Sequence, residues 1–146
     1  MNRSGYSDDY DGGHYELYRA SVERSLKGKR GQAFLREMVA ALEAMPEKEL
    51  SAGRLVDEHG DCCALGAVAL RRYPRETVEM LDLDAYDSGR MSDVFGISES
   101  MAREIAWLND EGVTYDALKE GETPDQHRHR TVLAWAKRHL GEPSEK

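Results

Sequence analysis

Apolar side chains recur every three or four positions along most of this chain, the spacing that lays one stripe down a helix. Tyr15, Tyr18, Val22 and Leu26 form the first stripe, in a helix that starts from His14. Gly28 is expected to stop it, with Lys27, Lys29 and Arg30 well placed near its negative end. Phe34, Leu35, Met38, Leu42 and Met45 predict a second helix after Gly31, with Arg36, Glu37 and Glu43 outward. Pro46 ends it, because proline cannot continue the hydrogen-bond ladder. Residues 62–70 read CCALGAVAL, almost wholly apolar, too short for a membrane and too uniform for a surface helix. This run predicts a buried central helix over 62–72, ending at Arg71-Arg72-Tyr73 before Pro74. Gly66 inside it costs about 1 kcal/mol against alanine, so a neighbouring backbone is expected to approach there.

The polar stretches supply turns and caps. Leu55 and Val56 precede Asp57-Glu58-His59-Gly60, which predicts a short β-hairpin near 54–63 with the chain returning from Asp61 to Ala64. A short helix is expected over part of 75–82, and another after a Ser92 cap, broken at Gly96. Ser98 caps an amphipathic helix with Met101, Ala102, Ile105 and Leu108 inside. Residues 110–123 read as a loop with one turn near Tyr115 to Leu118. Thr123, Pro124 and Gln126 form the chain's strongest helix start, a capping box, ahead of inward Val132, Leu133, Ala136 and Leu140. The expected fold is mainly α: a single-domain bundle of five or six helices around a buried central helix, with a short β-hairpin. The domain spans 14–140, between flexible tails at 1–13 and 141–146.

Charge changes this picture more than composition does. The 146 residues carry 28 acidic and 20 basic side chains, a net of -8, which argues against a general nucleic-acid coat. Residues 76–125 alone hold 14 acidic side chains and three basic ones, Arg90, Arg103 and Lys119. Such a segment keeps a protein soluble, or it forms a negative face that selects and steers a cationic partner. Glu76, Glu79, Asp82, Asp84, Asp87, Asp93, Asp110 and Glu111 are the candidate contacts. Arg24, Lys27, Lys29, Arg30 and Arg36 make a basic cluster instead. Without interleaved exposed aromatics, it suits an acidic protein surface, its own or a partner's, better than nucleic acid. Residues 28–31 are not a Gly-rich phosphate-binding loop of the strand–loop–helix kind, since no strand precedes them and the full spacing is absent.

Chemistry-bearing motifs are sparse. His59, Cys62 and Cys63 lie within five residues, yet a zinc site needs two further ligands. His127 and His129 point roughly 200° apart on a helix and cannot both chelate from one face. The adjacent cysteines read as reduced, buried thiols, and a thiol- or metal-dependent enzyme centred on them is the weaker alternative. Residues 92–109 resemble a helix-turn-helix unit, which raises a transcriptional regulator using Ser98, Ser100 and Arg103. Glu99 and Glu104 on the same helix would repel phosphate. Trp107 and Trp135 either close the contact between the last two helices or anchor a binding surface. The sequence shows no paired carboxylates arranged for catalysis, nucleophile elbow or dinucleotide fingerprint, and no apolar run approaches membrane length. The N-terminus has no secretory-leader layout, so a cytoplasmic location is expected.

Cys63-Ala64-Leu65-Gly66-Ala67-Val68, with Leu108-Asn109-Asp110 downstream and a final Thr-Pro-initiated helix containing Trp135, resembles a group of small phage and bacterial-chromosome proteins. They share a "CALGA" helix followed by an "ND" step, and the resemblance spans roughly residues 31–140. The group carries no assigned activity, so it transfers no catalytic residue. It implies a helical cytoplasmic protein, often encoded on a mobile element. Small acidic phage proteins as a class bind and disable host machinery, including nucleic-acid-targeting defence complexes such as CRISPR complexes. The reading is therefore a non-enzymatic acidic protein that docks on a protein partner with a basic surface. No cofactor, direct nucleic-acid contact or membrane is expected.

Overall fold

The computed structural model describes residues 12–82 and 87–141. In these residues the chain forms α1 (Gly12–Lys27), α2 (Lys29–Ala44), α3 (Ala64–Arg72), α4 (Arg75–Leu81), α5 (Ser88–Phe95), α6 (Glu99–Glu111) and α7 (Pro124–His139), with a 3-10 turn at Tyr115–Ala117. The architecture is an all-α bundle of seven helices, more than the five or six expected from periodicity. The first helix begins two residues inside the expected N-terminal tail. The rest of that tail and residues 142–146 lie outside the described residues.

The stripes became the core. Val22 and Leu26 from α1, Phe34, Leu35, Met38 and Leu42 from α2, and Met101, Ala102 and Ile105 from α6 are all buried. Central α3 buries Ala64 through Ala69 and packs on α2 and α6, while α1 lies against both α2 and α6 and α7 against α2. Its start is capped by Cys63, whose Sγ accepts the Gly66 N–H at 3.4 Å. A Cβ on Gly66 would sit 1.8 Å from the Leu55 carbonyl oxygen, so only glycine lets the 50–63 loop lie directly on α3. Thr123 and Gln126 cap α7 reciprocally, as their spacing predicts.

The β-hairpin is not there. Among the described residues no strand occurs, and Val56 and Cys62 share one isolated antiparallel bridge. The turn itself forms: Asp57 Oδ1 accepts the N–H groups of His59 and Asp61, and Gly60 adopts φ 88°. Cys63 N–H still reaches the Leu55 carbonyl at 3.3 Å, but the ladder goes no further because a side chain takes the answering Leu55 donor and the chain then turns into α3. Leu55 N–H goes to Asp82 Oδ1 at 2.6 Å, and Ala64 N–H goes to Asn109 Oδ1 at 3.0 Å. A second difference is the start of α5. Asp87, not Ser92, is its cap, accepting the Arg90 N–H at 3.0 Å, while Ser92 sits inside the helix and donates to the Ile97 carbonyl.

Candidate functional site

The loop at 50–63 decides where the candidate carboxylates go. Asn109, only 1% exposed, reaches from the end of α6 with both ends of its amide. Its Oδ1 accepts from Ala64 N–H, and its Nδ2 donates to the Ser51 carbonyl at 2.9 Å. Next to it, Asp110 Oδ1 accepts the Gly53 N–H at 2.9 Å. Arg128 of α7 is buried too and donates to the carbonyls of Asn109 and Leu50, each at 2.7 Å, and to Asp125 Oδ1 at 2.6 Å. Asp82 completes the fastening from α4, paired with Arg54 at 3.0 Å while holding Leu55. The loop therefore draws the C-terminal ends of α4 and α6 together around itself.

This arrangement sorts the eight carboxylates singled out by charge. Asp82 and Asp110 fasten the loop, and the Asp82 side chain is only 8% exposed. Asp87 caps α5. Glu79 is exposed and pairs with Arg75 at 3.2 Å, and Arg75 also donates to the carbonyls of Asp57 and Glu58. Glu76 and Glu111 are exposed and have no ion-pair partner among the described residues. Asp93 is also exposed, but on α5, a helix that the loop's hydrogen bonds do not reach. Asp84 lies outside the described residues. Two further exposed carboxylates, Glu58 and Asp61, come from the loop itself and were not among the eight. Glu58, Asp61, Glu76, Glu79 and Glu111 are thus exposed, and Arg75 ties the helix that carries Glu76 and Glu79 to the loop at Asp57 and Glu58. Met80, 71% exposed, sits one helical turn from Glu76 on the same helix.

The other candidate chemistry disperses. Among the described residues, no three His, Cys, Asp or Glu side chains gather where a cation could be held. Burial pushes the Cys62 thiol up to about 12, and no base hydrogen-bonds to either sulfur among the described residues. His59 is exposed beside Glu58 at 3.7 Å. Buried His129 places Nε2 2.8 Å from the Leu42 carbonyl, and burial holds its ring below the usual histidine range. His127 is buried against Arg130 and Glu122. The Glu122 carboxyl is pulled down to about 2, chiefly by its hydrogen bonds from Arg130. Trp135 is buried, its ring centroid 5.0 Å from that of His139.

Helices α5 and α6 do meet through a helix-turn-helix corner at Gly96-Ile97-Ser98, with Gly96 at φ 71° and Ile97 buried. Helix α1 lies across α6, however. Ser98 Oγ donates to Ser25 Oγ at 2.6 Å, Ser100 Oγ shares a hydrogen with Ser21 Oγ at 2.8 Å, and Arg19 pairs with Glu104 at 2.8 Å. Arg103 turns to Ser88 and Glu99. The side chains that would read base edges are engaged inside the protein. The basic cluster has the opposite fate: among the described residues no carboxylate pairs with Arg24, Lys27, Lys29, Arg30 or Arg36. Of the two acidic surfaces expected to serve it, the protein's own does not among the described residues, because Glu23, Glu37 and Glu99 pair with Arg19, Arg72 and Arg103.

No described helix is long and apolar enough to cross a membrane. No protein-family model, curated protein or solved structure matches the chain.

Proposed function

We propose that this chain is a non-catalytic binding protein that docks the carboxylate edge around its 50–63 loop on a cationic protein surface. One observation carries the reading. Asp82 and Asp110 bind the loop backbone, so exposed Glu58 and Asp61 stand on a fixed segment, which Arg75 ties to the helix carrying exposed Glu76 and Glu79. Same-sign charge held on a rigid scaffold steers encounter and rejects wrong partners. Exposed Met80 offers the apolar anchor that such a rim surrounds. A surface that otherwise holds nucleic acid fits this edge. In that role the protein, read as a phage or mobile-element product, would inhibit nucleic-acid-handling or defence machinery.

The test is affinity capture with two matched variants. Glu58→Lys, Glu76→Lys and Glu79→Lys together should release a basic partner that the natural chain and Asp93→Lys both retain. Retention of the same partner by all three proteins would remove the reading.

A further inference from the structure

The basic cluster, left unused by that edge, surrounds a cavity of about 300 Å³ where the end of α1, the start of α2 and the start of α6 meet. Its walls are Arg24 and Ser25 from α1, residues 28–31, and Ser98 ahead of α6. Residues 24–36 hold five basic side chains and no acidic one. Arg24, Lys29 and Arg30 line the cavity without an anionic partner among the described residues. Three unneutralised cations around one cavity repel one another, and a soluble anion relieves that repulsion.

The cavity is also fixed in shape. A Cβ on Gly31 would lie 1.9 Å from the Ser25 carbonyl oxygen, so α1 and α2 are in backbone contact at this corner. Gln32 ties the corner down, donating to the carbonyls of Leu26 at 2.6 Å and His139 at 2.9 Å, and accepting the Gly141 N–H at 2.8 Å. Ser98 Oγ accepts the Met101 N–H and gives its own hydrogen to Ser25 Oγ. That leaves the Ser25 hydrogen to be donated at the cavity wall.

We infer that this cavity binds a compact diphosphate-bearing ligand through Arg24, Lys29, Arg30 and Ser25. Charge sets the number of phosphoryl groups. One phosphomonoester carries about -1.5 to -2 at neutral pH, too little to balance three cations, whereas two linked phosphoryl groups come close. The lining sets what is recognised. Among the described residues no aromatic or large apolar side chain lines the cavity, so the phosphoryl end is gripped and the remainder of the ligand stays in solvent. The global charge favours a short anion over a long one. At physiological salt, fields fade within about 8 Å, so a diphosphate senses the local cations, whereas a nucleic-acid strand also meets a protein of net charge -8.

Calorimetric titration of the full chain with inorganic pyrophosphate at low ionic strength tests this. Saturable one-site binding is expected, weakened about tenfold each by Arg24→Gln and Arg30→Gln. Arg36→Gln, outside the cavity, should leave it unchanged. Circular dichroism of each variant confirms that the fold survives. Sulfate binding as tightly as pyrophosphate, or affinity indifferent to Arg24 and Arg30, would overturn the proposal. An unphosphorylated single-stranded oligonucleotide that binds more tightly than pyrophosphate and loses that binding in Arg30→Gln would also overturn it, assigning the cavity to nucleic-acid backbone.

Discussion

Replacing Asn109 with alanine should damage this protein more than any surface change of equal size. Its amide oxygen takes the first N–H of α3, and its amide nitrogen serves the Ser51 carbonyl. Truncation strands a buried donor and an acceptor at the same time. Each costs roughly 1–3 kcal/mol when left without a partner, and the small void adds to that, for a total of about 3–5 kcal/mol. Against a typical total stability on the order of 5–15 kcal/mol, this is a large fraction. A chain of this size should lose roughly 10–15 °C in Tm. Urea denaturation followed at 222 nm measures the change, and hydrogen exchange at Ala64 N–H localises it. Asn109→Asp sharpens the reasoning. At neutral pH its carboxylate would face the Ser51 carbonyl and the Asp110 carboxylate, whereas a protonated acid can still donate one hydrogen. A loss under about 1 kcal/mol for Asn109→Ala, with exchange at Ala64 unaltered, would refute the fastening role.

Gly66→Ala should destabilise by about 1–3 kcal/mol even though alanine is the better helix former, because the loop carbonyl at Leu55 must move; thermal melting showing a gain would contradict the close contact. Arg72 grips Glu37 with two hydrogen bonds of 2.6 and 2.7 Å and lies over the rings of Phe34 and Phe95. Arg72→Lys keeps the charge but loses the fork and the stacking, for about 1 kcal/mol by denaturation, since both partners are partly solvated. Glu122 has its folded pKa depressed, so its stabilising effect is complete above its unfolded value near 4.5 and fades as pH falls toward about 2. Glu122→Gln should therefore lower stability at neutral pH and flatten the acid limb of the stability profile.

Helix periodicity and caps carried most of the fold. Ser98 and Thr123 sit at the N-caps their sequence contexts specify, and Pro46 lies two residues beyond α2. Gly66 announced a close approach from sequence, although its partner, Leu55, lies outside the helix that contains it. What stayed hidden depends on contacts distant in the chain. Leu55 and Val56 have strand-like character, but Asp82, 27 residues on, captures the Leu55 donor and ends the ladder. Asn109 and Arg128 look like surface residues on amphipathic helices; they are buried because an irregular loop brings them backbone groups that need partners. The "CALGA" and "ND" steps thereby acquire a structural meaning, as the cap, the close contact and the clasp of one loop. Net charge exposed the acidic segment, yet summing it could not single out Asp82 and Asp110, spent on the backbone, nor find Glu58 and Asp61, exposed on the loop outside that segment.

Hydrogen exchange on the complex captured by the natural chain addresses the docking edge most directly. Amides in residues 54–61 and 75–82 should gain protection when the partner binds, with residues 24–36 unaffected. Protection confined to α5 or to the α1–α2 corner, with 54–61 exchanging as in the free protein, would contradict it.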